Sequence, residues 1–240
     1  LKIPLGLTTI MILCIDLGTD MLPAIAFAYE HPESNIMQQP PRDRFADKLV
    51  VPQLISFSYL QIGLIQAFAA YTAFFYILSD VYGFSSLGLL EEQERDGLMF
   101  NVADEYDEYF EANGAWENGG DCFYKRDMGP DKGECVYVDD RIDILKQAQT
   151  CFLASIVVCQ IGCGVACKTR MNSIVSQGFG NVVQNYGYFQ ETFLIILLVY
   201  VPFLNSAFGT MAFPGVGWLI GFPFACLIVA YDEFRKYQFR

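Results

Sequence analysis

Two aspartates stand four residues apart inside an apolar stretch, in the run Ile12-Leu-Cys-Ile-Asp16-Leu-Gly-Thr-Asp20-Met-Leu-Pro23-Ala24. On a helix this spacing puts both carboxylates on one face, with Thr19 beside them. A carboxylate within a membrane span is costly and marks a functional site by default. Two on one face repel each other unless a cation or protons sit between them. Gly18 and Pro23 flank the pair and favour local unwinding, which frees backbone carbonyls as further ligands. Oxygen-only ligation suits sodium, potassium, calcium or protons rather than soft metals. The competing reading makes one Asp interfacial or a packing partner, but neither lies near the end of the apolar stretch.

Further along, Glu191 follows Gln190 and precedes Thr192 in another apolar stretch. It is either a second buried carboxylate or a glutamate at headgroup level. Gln160 could supply an amide oxygen to an ion or serve as interhelical glue. Cys159, Cys163 and Cys167 recur at every fourth position, with Gly162 and Gly164 between them. Such a stripe can bind copper or zinc, but more commonly it is a close-packing face of small residues. The single His31 has no partner pattern, and Trp218 reads as an interfacial anchor.

The elements that must hold these residues are membrane helices. The chain has 240 residues, 53% of them hydrophobic, yet its formal charge is −12. The segment from Asp80 to Arg141 holds seventeen acidic and five basic residues, which accounts for the whole of that charge. The remainder is neutral and strongly apolar. A span needs about 20 mostly apolar residues. Five stretches qualify, at about 4–28, 54–78, 144–167, 186–208 and 216–231, with the acidic loop at about 80–142. The expected fold is an all-α membrane protein of about five transmembrane helices, one domain over 1–240, with one long acidic extracellular loop.

Orientation follows from the basic connections. Arg42, Arg44 and Lys48, then Lys168 and Arg170, then Arg235, Lys236 and Arg240 all fall on one side, which is expected to be the cytosol. The N-terminal end is then outside, and with no signal-peptide pattern before the first stretch this predicts at least one span upstream. Cys122 and Cys135 in the acidic loop are a candidate disulfide if that loop faces an oxidising compartment. No Gly-rich phosphate loop is present, so ATP hydrolysis is not expected of this segment alone. Nor do the acidic loop and net charge suit a nucleic-acid partner.

The run Asp16-Leu-Gly-Thr-Asp20-Met-Leu-Pro23-Ala, followed by Ala28-Tyr-Glu30, resembles the sixth membrane helix of the sodium/potassium and proton/potassium P-type ATPases. Further matching blocks are Pro41-Arg42, Asp47-Lys-Leu-Val50, Gln61-Ile-Gly63, Ser155-Ile-Val-Val158, Cys167-Lys-Thr-Arg170, Glu191-Thr192 and Tyr231-Asp-Glu-Phe-Arg-Lys236. The resemblance covers the chain except the acidic loop and implies helices six to ten of a ten-helix catalytic alpha subunit. It implies that Asp16 and Asp20 coordinate transported cations with Thr19 nearby, and that Gln160 and Glu191 contribute to the ion sites. Sodium and potassium would be the transported ions, with ATP and magnesium acting on upstream domains of the same pump chain. A multi-pass plasma-membrane location is implied, as is a beta subunit on the extracellular loop. The family's Ser-Tyr-Gly-Gln docking motif is represented there only by Glu105-Tyr-Asp-Glu108. The family's aspartate three residues after the glutamine of the eighth helix is Cys163 here. A proton/potassium pump is the alternative within the family, and a secondary cation transporter or channel the alternative outside it.

Overall fold

A computed structural model describes residues 5–32, 41, 43, 48, 50–82, 124–125, 135–136 and 140–239. Among them the chain forms α1 (Thr9–Tyr29), α2 (Pro52–Ser79), α3 (Asp140–Ala166), α4 (Ile174–Gln177), α5 (Val182–Tyr200), α6 (Pro202–Phe208) and α7 (Val216–Phe239). A two-residue antiparallel ladder joins β1 (Tyr124–Lys125) to β2 (Cys135–Val136). Helices α1, α2, α3 and α7 are each long and apolar enough to cross a membrane, and α5 with α6 makes a fifth such unit, bent by 89°. The chain is a helical multi-pass membrane protein, as its apolar stretches require.

The bend has a local cause. Pro202 cannot donate to the helix, and its ring pushes Val201 out of the α region, to φ −88° and ψ 113°. Breaking the helix orphans the last carbonyls of α5, which the residues after the bend then satisfy. Thr210 donates its hydroxyl to the Leu198 carbonyl at 2.5 Å, and Asn205 donates its amide to the Val199 carbonyl at 3.2 Å. Gly209, at φ 66°, ends α6 in a left-handed turn that favours glycine. The apolar stretch 186–208 is therefore two helices, and the first begins at Val182, where Asn181 caps it by accepting from the Gln184 N–H.

The central helix is α3: 61% of its span is buried, against 28–39% for α1, α2 and α7. Its Cys151, Leu153, Ala154 and Val157 pack with Phe74, Ile77 and Leu78 of α2 and with Ile195, Leu198 and Val199 of α5. Against α7 it comes closer still. A Cβ on Gly162 would stand 3.0 Å from Ala225, and one on Gly221 would stand 3.2 Å from the Ser155 Cα. Small residues at a membrane helix interface let backbones approach, which replaces the hydrophobic driving force that lipid does not supply. Large apolar side chains such as Leu17, Phe68, Phe189 and Phe222 are exposed, as lipid-facing surface should be.

Polar residues gather at one end of the bundle and lock it. Lys236 of α7 is 1% exposed; it pairs with Asp232 and donates to the Ala166 carbonyl at 3.0 Å and the Thr169 hydroxyl at 2.8 Å. It thus caps the C-terminus of α3, where a cation is favoured. Arg235 also pairs with Asp232 at 2.7 Å and lies over the Phe57 ring of α2, while Tyr231 donates to Gln61 of α2 at 2.6 Å. These partners carry α7 as a helix to Phe239, past the apolar stretch that ends at 231. At the same end Lys168 lies 3.7 Å from Glu30, whose carboxylate accepts from Asn181 at 3.0 Å. The ends of α1, α3 and α7 and the start of α5 therefore meet on the basic side.

Since Lys236 and Asp232 are both buried, removing one leaves an uncompensated charge. Asp232→Ala is expected to destabilise the folded chain by about 3–5 kcal/mol, and a combined Asp232→Leu/Lys236→Met variant by less. Unfolding by titration from mild to denaturing detergent measures both, and a single variant as stable as the parent would contradict the assignment.

Candidate cation site

Helix α1 is not uniformly wound. From Cys14 to Thr19 it adopts π-helical winding, and the Asp20 N–H bonds the Ile15 carbonyl five residues back, at 3.1 Å. Such turns within α-helices are frequent at functional sites because they displace backbone groups from the regular ladder. Pro23 carries no N–H, so the Thr19 carbonyl four residues before it has no α-helical donor there. The helix resumes as the Ala24 N–H bonds the Asp20 carbonyl at 3.0 Å. The expected unwinding between Gly18 and Pro23 thus takes the form of a wide turn followed by a missing donor.

Two helices converge on this turn of α1. From α3, Gln160 donates its Nε2 to the Asp20 carboxylate at 2.9 Å. From α5, Gln190 donates its Nε2 to the Gly18 carbonyl at 2.8 Å. Close packing sets these contacts: a Cβ on Gly187 of α5 would stand 3.3 Å from Pro23, and one on Gly18 would stand 2.8 Å from Leu194. Both amide orientations are fixed by chemistry, since a carboxylate and a carbonyl can only accept. Each glutamine is therefore left with its Oε1 inside the protein, and neither oxygen has a hydrogen-bond partner among the described residues. Glu191 is 1% exposed and its Oε1 is likewise unpartnered, so it is buried against the neighbouring helices.

The local electrostatics are those of crowded negative charge. Asp20 is half-buried and lies in the field of Asp16, and Glu191 lies in the field of Asp20. Buried oxygen acceptors without donors are expensive in a medium of low dielectric. A bound cation satisfies several of them at once. Among the described residues no three acidic, His or Cys side chains come close enough to hold a metal ion by themselves. Amide and backbone oxygens would thus have to complete a shell, which suits a hard cation.

The sequence-derived residues differ in how they are placed. Asp20, Gln160 and Glu191 share one region. Thr19 is buried in the same turn, with its hydroxyl donating to the Ile15 carbonyl at 2.8 Å, which leaves its oxygen lone pairs for a ligand. Asp16 is on the π-wound turn but exposed, so the pair does not point into this bundle together. Gln190 was overshadowed in sequence by the glutamate beside it, although a mid-span amide is itself a signal. Cys122 lies outside the described residues, as does the Cys135 side chain; only the β2 backbone pairs with a segment two residues past Cys122. Glu105–Glu108 also lies outside them.

Similarity to known proteins extends along the whole chain. Residues 4–238 match the family described as cation transporting ATPase, C-terminus. The chain is 38% identical over 239 residues to the sodium/potassium-transporting ATPase subunit alpha-1 of Oreochromis mossambicus, covering 100% of this chain and 21% of the relative. It is 39% identical over 235 residues to the alpha-1 subunit of Catostomus commersonii, covering 98% of this chain and 20% of the relative. For the Drosophila melanogaster alpha subunit the identity is 38% over 238 residues, covering 99% and 20%. The chain belongs to the family of cation transporting ATPase C-terminal regions. It spans about a fifth of the length of the curated relatives it matches.

The Asp20–Gln160 bond can be tested by a double-mutant cycle on Asp20→Asn and Gln160→Leu. Residues in direct contact should couple by about 0.5–3 kcal/mol in folding stability. Strict additivity would contradict the contact.

Proposed function

We propose that this chain is the ion-binding membrane part of an ATP-driven pump that exports sodium in exchange for potassium across the plasma membrane. The observation that carries the reading is the set of unpartnered buried oxygens on Gln160, Gln190 and Glu191 around the wide turn that bears Asp20. Asp20 and Glu191 supply charge, Gln160 positions Asp20, and Gln190 fixes the turn through Gly18. Thr19 adds a hydroxyl oxygen. Asp16, exposed on the same turn, faces a part of the pump outside this chain and contributes to the site from that side.

ATP binding and aspartyl phosphorylation, with magnesium, belong to segments outside this chain. Coupling requires that ion affinity differ between two conformations of the pump. The π-wound turn of α1 is the element suited to that change, because rewinding it moves the carbonyls and carboxylate together. A beta subunit on the extracellular side is the partner that the family resemblance implies. Cys163, three residues after Gln160, stands where the family carries an aspartate, so one charge fewer is available to bind sodium.

The test is labelling from ATP in native membranes containing the intact pump. A sodium-dependent, acid-stable label that potassium discharges is expected on the polypeptide bearing this chain. Asp20→Asn and Glu191→Gln should each weaken sodium activation at least about tenfold, equivalent to about 1.4 kcal/mol, with membrane insertion unchanged. Labelling without sodium dependence would overturn the choice of ion in favour of proton transport. Unchanged sodium activation in both variants would overturn the site.

A further inference from the structure

Cys159 and Cys163 of α3 and Cys167, which follows its last residue and still bonds the Cys163 carbonyl through its N–H at 2.8 Å, do not form one stripe. Cys159 is buried against α7, with its thiol 3.8 Å from the Gly221 carbonyl, and it serves the close packing of the two helices. Cys163 and Cys167 instead face each other, sulfur to sulfur, at 3.8 Å. Cys163 is half-buried and Cys167 is exposed. Cys167 opens into a cavity of about 590 Å³ at the basic end of the bundle, lined also by Phe57, Thr169, Arg170, Asp232 and Arg235.

This geometry selects among the reactions open to two thiols. On a helix, Cβ atoms four residues apart stay about 5–6 Å from each other. A disulfide needs them at about 3.5–4.5 Å, so direct oxidation would require the helix to deform. An atom inserted between the two sulfurs spans the gap without that. Zinc takes four ligands, and no third acidic, His or Cys group converges here among the described residues. Soft thiolates select copper in its monovalent state, which accepts two ligands in a line.

We propose that Cys163 and Cys167 form a two-thiolate site for Cu(I). Two S–Cu bonds form as both thiols release their protons to water; the copper stays monovalent, and no electron moves. The resulting complex carries one negative charge. Cys167 lies in the field of Asp232, Lys236 and Arg235, and over the two sulfurs together these two cations balance the carboxylates of Asp232 and Asp20. Cys163 lies in the field of Asp20 of α1 and Asp232 of α7. Gln160, which holds Asp20, precedes Cys163 by three residues on the same face. The copper would therefore sit about one helical turn from the carboxylate region.

The test is anaerobic titration of the full chain in purified membranes with Cu(I), against bicinchoninate as competitor, with copper-edge X-ray absorption on the first equivalent bound. The expected result is a linear two-sulfur centre whose affinity falls at least about 100-fold, more than outer-shell changes cost, in C163S and in C167S alike. Cys226→Ser, which removes an exposed thiol on α7, should leave it unchanged. Circular dichroism on each variant separates loss of the site from loss of the fold. Survival of the same tight equivalent in the C163S/C167S double variant would overturn the proposal, as would a centre with three or four ligands.

Discussion

Asp20 sits in a helix that has to be apolar enough to stay in a bilayer, and its carboxylate has to be kept there without a permanent cationic side chain among the described residues. Both demands shape what surrounds it. The Gln160 amide supplies one donor, enough to orient the carboxylate but not to neutralise it. A lysine or arginine in that position would satisfy the charge and close the site to exchangeable ions. Glutamines on α3 and α5 hold the turn with their nitrogens and leave their oxygens inside, so the turn is held without added positive charge. That deficit is what a transported cation would fill.

Keeping such a site in register depends on close helix contacts and on a rigid basic end. Gly187 against Pro23, Gly162 against Ala225 and Gly221 against Ser155 bring α5 to α1 and α7 to α3 at distances that larger residues would prevent. Lys236, Asp232 and Arg235 then tie α7 to the end of α3 and to Phe57 of α2. Asn181 and Lys168 tie α1, α3 and the start of α5 together at Glu30. The polar locks lie at the end of the bundle, whereas the orphaned oxygens lie further in. The π-wound turn between Cys14 and Asp20 lies away from those locks.

Much of this was legible in the residues. Mid-span carboxylates are rare enough that Asp16 and Asp20 mark a candidate site, and Gly18 and Pro23 announce an irregular helix. Four features were not. The π winding of α1 breaks the assumption of 3.6 residues per turn on which face assignments rest, so sequence spacing could not show that Asp16 is exposed while Asp20 is half-buried. Hydropathy does not register the direction of the chain, so the stretch 186–208 reads as continuous although Pro202 turns it by 89°. The burial of Lys236 depends on the Ala166 carbonyl and the Thr169 hydroxyl, which are distant in sequence, so it reads as one more cytosolic charge. Glu191 was undecided from sequence for the same reason: depth in the protein is a tertiary property.

The most direct test of the account is to locate the ion. Crystals of the intact pump grown with rubidium in place of potassium, or with thallium, would show the cation by its anomalous scattering. The account predicts a peak within ligand distance of the Asp20 carboxylate, bordered by oxygens from Gln160, Glu191 and the turn at Gly18 and Thr19. A bound and occluded ion whose peak lies away from Asp20, with Gln160 still donating to that carboxylate, would contradict it.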